Sequence, residues 1–336
     1  MRLALVGWAN DSGLGREFFD AVNHLPVEAA FVLQNAGKPT RRDLLEKVKH
    51  HLASKPQAPT EMEKFIETYK PDTILTWEIP GGWEYPGIWK RHGIRWVHVV
   101  HWDWFAPQHM ALWKEADLVA PNAMCQRELE KNYGLKAALL PVPIDTDLFK
   151  FRLRERAETF ISVYGYGGAE NRRGLPQIFM AWKTFMGKPP LVFRAQQKPY
   201  ETNMPFGVGF QIGSTPDPAG LFVTGDVAVQ FSRFEGVGVT LLEAQACGLP
   251  VIAVDAEPMN ELAPDLLVPV DRVEHPVIYG KRLPSYVGSS AALTRTVLRL
   301  YRTDITELSN LARARVEKNY SWMALKQQWI SLLSGA

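Results

Sequence analysis

The chain has 336 residues, 46% hydrophobic and 22% charged, proportions of an ordinary folded protein that exclude wholesale disorder. Its length exceeds one ordinary core and predicts two domains of about 150 residues each. A formal net charge of +2 gives no general reason to expect a polyanion partner, and two isolated cysteines, Cys125 and Cys247, exclude a disulfide framework or zinc site and suit a reducing cytoplasm.

Met1 to Val6 is apolar but meets a glycine at position 7, which predicts a buried strand rather than a signal peptide. No stretch approaches the roughly 20 apolar residues needed to cross a bilayer. Short apolar runs then recur as predicted strands: Leu3–Val6, Ala29–Leu33, Thr73–Thr76, Trp96–Val100, Leu118–Ala120 and Ala137–Leu140. Predicted helices lie between them at Arg16–Asn23, Arg41–Leu52, Glu61–Tyr69 and Cys125–Tyr133. This alternation implies a parallel sheet with helices on both faces. Between Lys38 and Lys55, the cations Lys38, Arg41, Arg42, Lys47, Lys49 and Lys55 face only Asp43 and Glu46. Two readings stand: a solvated helix face, or an electrostatic footprint for a phosphate-bearing acceptor.

Pro141-Val142-Pro143 cannot continue a central strand, because proline removes ladder donors. Pro141 to Glu158 is therefore read as a link. Strands return at Thr159–Val163, Pro190–Phe193, Val208–Ile212, Val227–Gln230 and Val251–Val254, with helices at Leu175–Phe185 and Val239–Cys247. After Leu267–Val270 the sequence reads as irregular and rich in Pro and Gly, then helical from about Ser290 to the end. The predicted fold class is α/β, with two Rossmann-like domains whose strand C-termini frame a ligand cleft.

The most informative segment is Asp226 to Pro250. A strand enters a loop, and a helix opens beside Gly236 and Gly238, where backbone can approach a ligand closely. Open N–H groups and the positive end of the helix dipole favour anions or oxygen-rich groups there. Glu235 precedes the helix and Glu243 lies on it among apolar neighbours, where an unpartnered carboxylate would be costly. Carboxylates accept paired hydrogen bonds from vicinal hydroxyls, as at the two ends of a nucleotide sugar.

Glu235-Gly236-Val237-Gly238, Leu242-Glu243-Ala244 and Ala246-Cys247-Gly248-Leu249-Pro250-Val251-Ile252 resemble the E-x7-E signature of retaining GT-B glycosyltransferases of the family-four type. Ala116 to Val119, Leu140 to Phe149 and Asn319-Tyr320-Ser321-Trp322 extend the resemblance over nearly the whole chain. It implies an N-terminal acceptor-side domain over 1–150 and a donor-side domain over 151–318. A last helix over 319–336 would return to the first domain.

The resemblance further implies that Glu243 binds the donor ribose. Glu235 would hold the donor sugar and stabilise charge at its anomeric carbon, and Gly236, Val237 and Gly238 would hold ring hydroxyls. Arg173, with Arg172 beside it, falls where the family places a lysine on the donor diphosphate, while Tyr166 or Gly167 stands where an arginine is usual. Guanidinium forks suit phosphate, although an exposed turn would also account for the pair. The turn from Gly7 to Arg16 would lie beside donor and acceptor, with Gly13 and Gly15 as close-approach positions and Trp8, Asn10 and Asp11 on the acceptor side. Taken alone, this turn would equally suit a dinucleotide. After the strand at Trp96, His101 matches a family histidine near the donor sugar, whereas His98 reads as core. Trp102 and Asp103 follow as acceptor candidates, and Trp8, Trp77, Trp83, Trp102 and Trp104 either gather at an acceptor mouth or pack as core.

Asp145-Thr146-Asp147 mimics a metal-binding DxD, but the resemblance puts it in the link, so metal-independent catalysis without a cofactor is expected. The donor would be a UDP- or GDP-linked sugar. The default acceptor is a saccharide or lipid-linked glycan. A modified DNA base is the alternative, given the basic segment and the tryptophans. Other readings of this architecture are a sugar-nucleotide epimerase, a non-catalytic nucleotide-sugar binding protein and a dinucleotide oxidoreductase.

Overall fold

A computed structural model describes residues 1–335 except 35–38, 56, 79–81, 166–171, 187, 197–204, 216 and 279. The chain divides into two compact units: Met1–Val142 with Leu325–Ala336, and Pro143–Ala324.

In the first unit the elements run β1 (Leu3–Trp8), α1 (Gly13–His24), β2 (Val27–Leu33), α2 (Arg42–Leu45), β3 (Lys49–Leu52), α3 (Pro59–Tyr69) and β4 (Thr73–Thr76). They continue through α4 (Tyr85–Arg91), β5 (Arg95–Val99), α5 (Met110–Trp113), β6 (Asp117–Ala120), α6 (Ala123–Tyr133) and β7 (Ala137–Leu139). The seven strands pair in parallel in the order β3-β2-β1-β4-β5-β6-β7. Helix starts follow local chemistry. Ser12 caps α1 by accepting from the Gly15 amide, Asn122 caps α6 through the Cys125 amide at 2.9 Å, and Pro59 opens α3.

One expectation fails here. Leu44, Leu45, Val48 and Leu52 have helical spacing, yet the predicted helix Arg41–Leu52 is a single turn, α2, followed by edge strand β3 paired to β2. At a sheet edge a strand is free to put Lys49 and His50 into solvent.

The second unit begins with β8 (Phe160–Tyr164), α7 (Leu175–Trp182), β9 (Leu191–Ala195), β10 (Val208–Ile212), β11 (Val227–Gln230), α8 (Val239–Ala246), β12 (Val251–Val254), α9 (Met259–Leu262) and β13 (Leu266–Val268). Its six-stranded parallel sheet has the order β10-β9-β8-β11-β12-β13. The order reverses beside β8 and β11, and doubly wound sheets place ligands at such a point. The stretch expected to be irregular is instead a β arm: β14 (Val270–Glu274) pairs with β17 (Ser285–Gly288), and β15 (Val277–Ile278) with β16 (Lys281–Arg282). Helices α10 (Ser290–Leu300), α11 (Thr306–Asn319) and α12 (Trp322–Ser334) complete the chain.

The last turns of α12 belong to the first unit. Leu325, Trp329 and Leu333 are buried, Trp329 Nε1 donates to Pro141 O at 3.1 Å, and Arg95 Nη1 donates to Leu332 O and Leu333 O at 2.7 and 2.9 Å. These bonds satisfy carbonyls at the helix end, where no further turn can do so.

Candidate functional site

In the second unit the site is built where two loops are stitched together. The loop after β8 carries Arg172, Arg173 and Gly174; the loop after β11 carries Ser232, Arg233 and Glu235. Arg233 N donates to Arg172 O at 2.8 Å, and Tyr164 OH donates to Arg173 O at 3.2 Å. Gly174 has φ +65°, and a Cβ there would sit 2.4 Å from Phe231 O, so only glycine lets the loops close to this distance.

That stitching brings both guanidinium groups onto one carboxylate. Glu235 is 2% exposed; its Oε2 accepts from Arg172 Nη2 at 2.8 Å, and its Oε1 accepts from Ser232 Oγ at 2.7 Å and from Arg173 Nη1. Arg173 Nη1 also donates to Ser232 Oγ at 3.0 Å, and the Arg172 guanidinium lies 5.5 Å from the centre of the Phe234 ring. The two arginine side chains keep 22% and 11% of their surface. A fully desolvated carboxylate would be costly alone; with three donors on two oxygens its charge is matched.

Helix α8 starts directly after this loop at Gly238, φ +78°, and no side chain caps it. A Cβ on Gly238 would lie 2.5 Å from Leu262 Cδ1, so both backbone angle and packing require glycine. Gly236 and Val237 are buried beside it. Glu243 is also buried, a turn into the helix. Its charge adds to the effect of burial in pushing the Cys247 thiol up to about 12, so that cysteine is an inert wall. Tyr166 and Gly167 lie outside the described residues. Ser232 is the member of this cluster that sequence reasoning missed; its signal was a hydroxyl three residues before Glu235.

In the first unit, the turn between β1 and α1 is held by its own side chains. Asn10 Oδ1 accepts from the Ser12 amide at 3.0 Å and from Ser12 Oγ at 2.5 Å. A Cβ on Gly15 would fall 1.9 Å from Asn10 O, so this glycine serves the turn itself. Gly13 is exposed and Trp8 half-buried. Asp11 pairs with Arg41 at 2.9 Å, and Arg41 with Asp43 at 2.7 Å. Lys47 Nζ donates to Asn23 Oδ1 at 2.9 Å. Part of the basic segment is thus committed internally, and Lys38 lies outside the described residues.

His101, just beyond β5, is buried with a carboxylate on each ring nitrogen: Glu78 Oε1 at 3.1 Å from Nδ1 and Glu17 Oε2 at 3.1 Å from Nε2. Burial opposes its charge, but the Glu17 charge and the bonds to both carboxylates hold its pKa well above the ordinary 6.5. Burial likewise raises Glu78, which also faces Asp103 and Glu17. His98 is a different case: burial and the nearby His101 charge lower it to about 3, and Thr76 Oγ1 lies 2.7 Å from its Nδ1. It is core. Glu17 and Glu78 were not singled out from sequence, although Glu78 sits two residues beyond β4, a position comparable to that of His101 beyond β5.

Trp77 packs on Phe18, Trp102 stacks on Phe105 with centroids 5.8 Å apart, and Trp83 stacks on His109 at 3.8 Å; Trp77 and Trp102 are buried, while Trp104 is 37% exposed. Asp103 is buried beside Trp102. Asp145 of the DxD look-alike uses Oδ1 to accept from the amides of Asp147 and Leu148 at 2.9 and 3.0 Å, as a turn does. Among the described residues no group of three or more His, Cys, Asp or Glu side chains is arranged to hold a metal ion, and no helix is long and apolar enough to cross a membrane.

Residues 193–276, which span the second-unit loop and α8, match the family model described as glycosyl transferases group 1. Comparison with curated protein sequences gives no match. Solved structures do match over essentially the whole chain. HepE from Anabaena in complex with UDP is 14% identical with TM-score 0.72, each chain covered 100%. A glycosyltransferase from Rickettsia africae is 14% identical with TM-score 0.73, covering 99% of this chain and 98% of that one. The fold is GT-B. Sucrose-phosphate synthase from Thermosynechococcus elongatus shares it at 16% identity and TM-score 0.69, with 100% and 98% covered. Within this GT-B frame, the matched segment carries Glu235 and Glu243, and the arginine pair reaches Glu235 from outside it.

Proposed function

We propose that this chain is a glycosyltransferase that takes a sugar from a UDP- or GDP-linked donor and passes it to a saccharide or glycan hydroxyl, with retention of anomeric configuration and without a metal. The observation that carries the reading is one buried carboxylate, Glu235, under two guanidinium groups at the uncapped start of α8, with Glu243 buried on the same helix. The group 1 match over this segment supports it, as does the GT-B fold shared with HepE, a protein solved with UDP and with UDP-glucose.

In this reading Arg172 and Arg173, together with the open N–H groups of α8, take the negative charge of the leaving diphosphate. The bond from anomeric carbon to phosphate oxygen breaks, and the acceptor oxygen bonds to that carbon from the same face. The acceptor proton passes to the departing phosphate oxygen. Glu235 stabilises charge at the anomeric carbon and Glu243 holds the ribose diol, so the protein supplies positioning and electrostatics rather than a strong base. Guanidinium groups perform the charge neutralisation that a divalent cation performs elsewhere. Two buried, isolated cysteines are consistent with work in a reducing cytoplasm.

The test is a donor screen by thermal shift, followed by turnover with simple sugar acceptors in the presence of a chelator. A bound donor raises the melting temperature, and the anomeric proton coupling of the product reports the stereochemistry. Failure of every UDP- and GDP-sugar to bind or react would remove the proposal. An isomerised donor with no transfer would make the chain an epimerase instead.

A further inference from the structure

The Glu235 carboxylate presents two oxygens from one central atom, and each receives a guanidinium: Oε2 from Arg172 at 2.8 Å, Oε1 from Arg173. A phosphate group offers its oxygens to arginine forks in the same manner. The carboxylate is 2% exposed, whereas the arginine side chains retain 22% and 11% of their surface. The arginine side chains thus keep a contact with solvent that the carboxylate lacks. The positions of Arg172 and Arg173 are set by backbone, through Arg233 N to Arg172 O at 2.8 Å and the close pass of Gly174 on Phe231. Their placement does not require a ligand.

We propose that Glu235 is the resident counter-ion of the Arg172–Arg173 pair, and that a diphosphate binds by taking over those donors. Binding is then an exchange of one anion for another. The internal carboxylate keeps the pair charged and ordered while the site is empty, at the cost of weaker anion affinity. Once the arginines turn to phosphate, the Glu235 carboxylate keeps Ser232 as its donor at 2.7 Å and presents its other oxygen to the sugar end of the donor. The pair's role as a diphosphate site rests on the function proposed above; the exchange is the added claim.

Calorimetric titration of inorganic pyrophosphate into the full-length parent, Glu235→Gln and Glu235→Ala separates the two. Melting curves establish that both variants are folded, and the near-isosteric glutamine keeps the Ser232 bond if the alanine protein does not fold. Exchange predicts that removing the carboxylate charge tightens pyrophosphate by about tenfold, even though the same substitution abolishes transfer. Unchanged or weaker pyrophosphate binding in the folded variants overturns it, as does absence of pyrophosphate binding in every protein. Parent turnover of a nucleotide sugar with no tightening drops the exchange and leaves the transferase reading standing. Tightening without turnover of any donor keeps the exchange and drops the transferase.

Discussion

The two units bury charge in opposite arrangements. In the second, one carboxylate lies under two guanidinium groups; in the first, one imidazolium lies between two carboxylates. The arginine side chains keep 22% and 11% of their surface, as the proposed exchange of anions requires. Glu17, Glu78 and His101 are each at least nine-tenths buried and drawn from α1, the end of β4 and the end of β5. Both ring nitrogens of His101 face carboxylates of the protein. A buried pair open to solvent suits binding, whereas a sealed one ties elements together and makes the fold answer to pH.

The comparison is broken most severely at Glu235. Replacing it with alanine is expected to lower the transfer rate about a thousandfold in steady-state assays, while Glu17→Gln leaves transfer closer to the parent. Equal losses would erase the distinction. Next in size is stability. Glu17→Gln leaves a buried cation short of a counter-charge and is expected to cost about 3 kcal/mol in urea unfolding, against about 1 kcal/mol for Arg172→Gln, which leaves Glu235 with Arg173 and Ser232 as donors.

The sealed cluster also has a pH signature. Both His101 and Glu78 are shifted upward, so the folded chain holds their protons more tightly than the unfolded chain does. The contribution of His101 is complete below the ordinary 6.5 and is lost as pH rises from there through its folded value. Stability therefore falls on the alkaline side, and Glu17→Gln flattens that limb; a slope unaltered by the substitution would count against the arrangement. Gly174→Ala is expected to cost about 2 kcal/mol and to weaken pyrophosphate binding together with stability. Smallest is Arg41→Ala, a partly exposed ion pair with Asp11, at about 0.5 kcal/mol by the same unfolding measurement.

Much of the sheet frame was legible because fully buried parallel strands read as short apolar runs: Thr73–Thr76, Val227–Gln230 and Val251–Val254 fall where they were expected. β3 was hidden because Leu45, Val48 and Leu52 fit a helical stripe as well as a half-exposed edge strand. Within the arm from Val270 to Gly288, β15 and β16 are strands of two residues, too short to carry a period. At the site, Glu235, Arg172 and Arg173 were named separately, but their meeting depends on a backbone crossing at Gly174 and Phe231 that no spacing reveals. Glu17 lies on an amphipathic helix, and only the fold shows which face of α1 turns toward His101.

Leu325, Trp329 and Leu333 fill the first unit, although 182 residues of the second unit, Pro143–Ala324, separate them from the rest of it. During synthesis residues 1–142 are made before residues 325–333, so the core they share cannot close until the later segment is present. A nascent chain halted at Ala324 would expose that gap, and with it the Arg95 guanidinium deprived of Leu332 and Leu333 carbonyls. The core of the first unit is therefore completed by a segment made well after residues 1–142, and until that segment is present the apolar surface it covers stays open.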